Sequence, residues 1–171
     1  MEEKQIRFLR FFLAVIFIAY IILLLYLTMC KNVVLVKFRE REVSLIPFRA
    51  TVGVIRYMAP LRIIENIGGN ILLFVPFGFI PPIISRLKKR IILYGAIFSI
   101  AIETAQFIFA LGLTDIDDVI YNTLGTAIGF LAAHLLKLKI GRELSVLKTA
   151  AAAVLICGAA GISAMAYEGL F

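Results

Sequence analysis

Charge is scarce in this chain of 171 residues: Asp, Glu, Lys and Arg make up 17% of it, against about 25% in an ordinary soluble domain. Its counterpart is a hydrophobic fraction of 62% and a mean hydropathy of +1.01. Disorder needs the reverse balance. A soluble globule of this size has no interior large enough to hide so much apolar surface. What remains is an integral membrane protein. Cysteine is nearly absent as well. Cys30 and Cys157 lie far apart in apolar runs, with no CxxC or metal-ligand spacing, and read as small core hydrophobes. Histidine occurs once, as His134, which reads as a packing or headgroup contact. There is no Ser-His-Asp set, no HExxH, no Walker loop and no GxGxxG. The net charge of +7 does not point to nucleic acid, because the basic loops lack interleaved aromatics. Lys and Arg beside membrane spans set orientation and meet the headgroups of membrane lipids.

Crossing the hydrocarbon core takes about 20 helical residues. Phe11 to Cys30 is uncharged and too long for a signal peptide. Asn66 to Ser85 is a second run, holding Pro76, Pro81 and Pro82, and predicts a kinked helix packed against others. Ile91 to about Leu113 and Ile116 to about Leu136 are the third and fourth. Lys148 to about Tyr167 is the fifth and the least specific. The fold expected is therefore an all-α, polytopic bundle of about five transmembrane helices. An interfacial loop with the apolar knot Leu45-Ile46-Pro47-Phe48 joins the first and second. Both short basic loops fall on the N-terminal side, which holds eleven Lys and Arg against seven in the long loop from Lys31 to Glu65. This places the N-terminus in the cytoplasm, and the C-terminus and the Asp115 turn outside.

Ionisable side chains within membrane spans cost roughly 2.5–3.5 kcal/mol each on insertion scales, so each one is informative. Glu103 sits about 18 Å into the third helix, sharing a face with Ser99 and Gln106. On the fourth, Asp115, Asp118, Asn122, Gly125 and Gly129 form one stripe. Its GxxxG pair permits close helix contact. Asp117 falls off the stripe and suits a helix cap. Asn66 and Asn70 add amides from the second helix. The candidate site is thus Asn66, Asn70, Glu103, Gln106, Asp115, Asp118 and Asn122, gathered in the outer half of the bundle. Two uses stay open: interhelical hydrogen bonding alone, or a polar pocket. A pocket of oxygen and amide groups suits a hard cation, a sugar or peptide group, or acid/base work by a carboxylate pair. Catalytic residues, metal, cofactor and oligomeric state are left unassigned.

At these residues the chain resembles the VanZ-like family of bacterial membrane proteins. The resemblance is carried by Glu65-Asn66-Ile67-Gly68-Gly69-Asn70-Ile71-Leu72-Leu73-Phe74-Val75-Pro76-Phe77-Gly78, by Ser99, Glu103 and Gln106, by Asp115 through Gly125, and by the Leu-Ile-Pro-Phe knot. It covers residues 1–137 as a VanZ-like membrane domain and leaves 138–171 as an additional C-terminal transmembrane helix. Many members have Asn where this chain has Ser44, and an Arg in the turn where it has Gly112-Leu113-Thr114. The resemblance implies a role at the cell envelope and association with resistance to the glycopeptide teicoplanin. The ligand expected is a lipid-linked cell-wall intermediate or a lipidated glycopeptide, engaged in the outward polar pocket. The competing readings are an intramembrane enzyme using Glu103 and Asp118, and a transporter.

Overall fold

A computed structural model describes residues 2–30, 43–57, 67–85, 90–111, 114–140 and 142–154. The described residues are helical almost throughout: α1 (Glu2–Cys30), α2 (Arg49–Tyr57), α3 (Gly69–Ile84), α4 (Arg90–Phe109), α5 (Ile116–Ile140) and α6 (143–154). Two strands of two residues each, β1 (Val43–Ser44) and β2 (Thr114–Asp115), pair in parallel, with Val43 opposite Thr114 and Ser44 opposite Asp115. The hydropathy pattern gave no hint of this bridge. It is too short to alter the all-α class, but it ties the connection after α1 to the turn before α5.

Among the described residues, α1, α4 and α5 are long and apolar enough to cross a membrane. The helix α3 is apolar but shorter, and it is the buried centre of the bundle. Phe74, Phe77, Gly78, Ile80, Pro81, Pro82 and Ile83 are all buried on it. Its prolines do not break it, because tertiary packing outweighs the lost backbone bonds. Tyr20 on α1 donates its hydroxyl to the Leu73 carbonyl, Lys137 on α5 donates to the Pro82 carbonyl, and Ser85 closes the end with its hydroxyl on Pro81 O at 2.7 Å. Phe17, Phe74, Phe77 and Phe98 fill the space between α1, α3 and α4, the last two stacked at 5.3 Å.

The largest helix interface is α3 against α5, and glycine makes it possible. A Cβ on Gly125 would overlap the Ile71 carbonyl, one on Gly129 the Val75 carbonyl, and one on Gly78 the Thr126 carbonyl. The GxxxG pair therefore sits where close approach was expected, and α3 supplies a glycine from the other side.

The helix α6 begins at 143, earlier than the fifth run's apolar boundary. The Glu143–Arg10 ion pair fixes its first turn to α1, and Val146, Leu147 and Ala150 pack against Leu13, Ile80 and Ala133. The expected fifth span from 155 onward lies outside the described residues, as do Cys157 and Asn66.

Candidate functional site

The acidic run at the start of α5 organises one end of the bundle. Asp115 is the N-cap: its Oδ1 accepts the Asp117 N–H at 3.0 Å, as a capping side chain does for the second helical residue. Its own N–H donates to Glu103 Oε2 at 2.9 Å, and Thr114 donates its hydroxyl toward the Glu103 carbonyl at 3.4 Å. Glu103 on α4 thus receives the turn that starts α5. Burial pushes the Asp115 carboxyl up from the ordinary carboxylate range. The Asp117 N–H pulls it back, and the Asp117 charge adds to the rise.

Asp117 caps a different helix from the one it stands on. Phe48 N–H donates to Oδ1, while Thr51 donates its N–H (3.0 Å) and its hydroxyl (2.7 Å) to Oδ2. Thr51 also hydrogen-bonds the Tyr121 hydroxyl at 2.7 Å. Phe48 stands at the N-cap of α2 and has no side-chain acceptor, so Asp117 supplies one from across the bundle. The knot before α2 needs that support. Ile46-Pro47-Phe48-Arg49 is a turn closed by Arg49 N–H on Ile46 O at 3.2 Å. Phe48 has φ 62, at the third turn position, where glycine is the usual occupant. One sequence signal was available: α2 starts after Pro47-Phe48 with no Ser, Thr, Asp or Asn in the capping position. An uncapped start asks for an outside acceptor.

The remaining candidates lie between helices. Asn70 on α3 donates to Asp118 Oδ1. Asn122 donates to Ser99 Oγ at 2.8 Å, joining α5 to α4. Gln106 donates to the Thr28 carbonyl of α1 at 3.0 Å, and its Oε1 is buried without a partner among the described residues. Ser44 Oγ is in the same position. His134 stacks on Phe130 at 6.2 Å, consistent with a packing role.

A cleft of about 380 Å³ opens beside Glu103 and Asp115. Its walls are Val43 and Leu45 beside β1, Ile100 and Phe107 on α4, and Val119 on α5, with Thr104 and Thr114 as further polar edges. Of the seven residues expected to form one site, two line this cleft. Gln106, Asp118, Asn122 and Asn70 instead engage partners between helices. Asp117, Thr51, Thr104 and Thr114 were not among the candidates. Among the described residues, no group of three or more His, Cys, Asp or Glu is placed to hold a metal ion.

No solved structure matches this chain. Protein VanZ of Enterococcus faecium is 35% identical over 118 residues, a stretch that covers 64% of this chain and 66% of that protein. The chain thus spans just under two thirds of the length of that curated relative. The family model described as VanZ/LLP1 matches residues 17–137, which runs from the middle of α1 through α5 up to Lys137 and includes the bridge, the cleft and every hydrogen bond around Asp117. A match over well over half of its length makes this chain a member of the VanZ/LLP1 family, and its apolar helices make it a membrane protein.

Proposed function

We propose that this protein is a multi-pass protein of the bacterial cell membrane that binds an amphiphilic envelope ligand in the cleft beside Glu103. A lipid-linked cell-wall intermediate or a lipidated glycopeptide has the required character, and binding one would contribute to teicoplanin resistance. The observation that carries this reading is the composition of the cleft. Leu45, Ile100, Phe107 and Val119 give it apolar walls, and two carboxylates and two threonines line it with them. An acyl chain suits the apolar walls, and a headgroup with N–H or O–H donors suits the carboxylates. Ile100 and Leu45 are exposed, so in a bilayer the ligand would enter sideways from lipid. In this reading the chain spans the membrane five times, with a cytoplasmic N-terminus and the cleft near the outer leaflet.

The test is expression in a susceptible Gram-positive host, with teicoplanin compared against vancomycin. Resistance to teicoplanin should rise and vancomycin should be unaffected. Thr104→Phe, an exposed position on the cleft wall, should abolish the gain while leaving the protein inserted. A full gain in that variant would remove the cleft from the mechanism.

A carboxylate-pair enzyme using Glu103 and Asp118 is the second reading. Glu103 accepts the Asp115 N–H and Asp118 accepts from Asn70, and the pair is tested by Glu103→Gln and Asp118→Asn. Full function in both would end that reading.

A further inference from the structure

The opposite end of α1 carries a second cleft, distant from Glu103. It measures about 340 Å³ and is lined by Lys4, Gln5, Phe8 and Leu9 of α1 and by Lys148 of α6. We propose that this cleft binds an anionic phospholipid, with its phosphate held between the Lys4 and Lys148 ammonium groups and an acyl chain along Phe8 and Leu9.

Depth supports this assignment. The uncharged part of α1, Phe11–Cys30, is about 30 Å long at 1.5 Å per residue, the thickness of the hydrocarbon core. The turns before it, which carry Lys4, Arg7 and Arg10, therefore lie in the headgroup region. Lys4 and Gln5 are at headgroup depth, with Phe8 and Leu9 nearer the acyl boundary. A cleft with cations at its mouth and hydrocarbon beneath repeats the polarity of a phospholipid along its length.

Charge supports it too. Glu143, the acidic residue that starts α6, is taken by Arg10. Among the described residues neither Lys4 nor Lys148 has an ion-pair partner, and both are exposed. Phe8 is 66% exposed, an apolar surface at the cleft that the described residues leave uncovered.

The experiment uses the full chain in nanodiscs and a photoreactive phosphatidylglycerol at low fraction in phosphatidylcholine. Crosslinks should map to Phe8, Leu9 and the α6 segment around Lys148. Lys4→Gln with Lys148→Gln should lower phosphatidylglycerol selectivity about tenfold or more, because the phosphate loses both charge-assisted contacts. Arg90→Gln with Lys139→Gln removes the same charge from the same end and should lower it far less. Unchanged selectivity in the first pair, or equal loss in both, would overturn the site in favour of a diffuse field. Circular dichroism of each variant separates these outcomes from misfolding.

Discussion

The two halves of the bundle are held by different means. Away from the bridge, α3 and α5 meet glycine to backbone, with the Lys137 contact to the Pro82 carbonyl at the far end. At the bridge end, segments far apart in sequence are joined by carboxylates: Asp117 to the start of α2, Asp115 to its own helix, Glu103 to the Asp115 N–H. Glycine contact is non-directional and fails only by steric overlap. Carboxylate contact is directional, and each lost acceptor strands a buried donor. The seam should therefore be the less forgiving region to added bulk, and the bridge end the less forgiving to lost oxygen atoms.

The largest effect is expected at the seam. Gly129→Ala places a methyl group into the Val75 carbonyl and the Phe79 N–H. Backbone cannot rotate aside as a side chain can, so α3 and α5 must separate. We expect a loss of about 3 kcal/mol, read by denaturant unfolding in detergent. Gly53→Ala on α2 is the control: nothing lies within 4 Å of the added methyl, and a gain of about 0.5–1 kcal/mol is expected. If both behave alike, the glycine seam is not what limits packing.

Next comes Asp117→Ala, which removes the acceptor for Phe48 N–H, Thr51 N–H and the Thr51 hydroxyl together. A loss of about 2–3 kcal/mol is expected, and it should be local. Trypsin should cut at Arg49 and Arg56, both exposed, well before the bundle unfolds. Asp117→Asn keeps one acceptor oxygen and should lie between the two. Global unfolding without early cleavage would mean that Asp117 holds α5 rather than α2.

The seam was legible because its information is local. Gly125 and Gly129 lie four apart, and the stripe Asp115, Asp118, Asn122 sits on the same face, so helical periodicity alone turns it inward. The same holds for Ser99, Glu103 and Gln106, all buried as their spacing required. The bridge end was legible only as a set of polar residues. Periodicity says which way a side chain points from its own helix. It does not say what loop will arrive there. Asp117 was read as a cap for the helix that bears it, and its true partners are 66 and 69 positions away. The cleft depends on Val43 and Leu45 being brought to α4 by a two-residue bridge, which no alternation pattern of that length can announce.

Asp115 should give a smaller, pH-dependent effect. Its carboxyl is raised by burial, so the folded state favours the protonated form. The stability this contributes is present below the ordinary carboxylate range and is lost as pH rises through the raised value. Asp115→Asn keeps the helix cap and removes the titration. The variant should match the wild type in mild acid and exceed it near neutrality. Asp115→Ala should be less stable by about 1 kcal/mol at every pH, because the cap is gone. A wild type that gains on the Asn variant as pH rises would reverse the sign and place a cation beside Asp115.

The smallest effects separate two residues that share one backbone conformation. Ala110 has φ 51 and Phe48 has φ 62, and an L side chain in that region costs roughly 1–2 kcal/mol. Ala110 follows α4, where Leu111 N–H reaches Gln106 O at 2.9 Å and Ala110 N–H reaches Phe107 O at 3.3 Å. That is the six-to-one and five-to-two pattern of a helix stop normally completed by glycine. Ala110→Gly should therefore stabilise the protein by about 0.5–1 kcal/mol, with no change in function. Phe48→Gly relieves the same strain and should raise stability in detergent by a similar amount. It also deletes a ring that is 51% exposed beside the exposed Leu45 and Ile46. If that apolar knot meets the membrane, Phe48→Gly should weaken association of the α2 segment with lipid, read by quenching of a fluorophore at position 55 with brominated lipid. Equal quenching in both glycine variants would leave the strained turn at Phe48 without a membrane role.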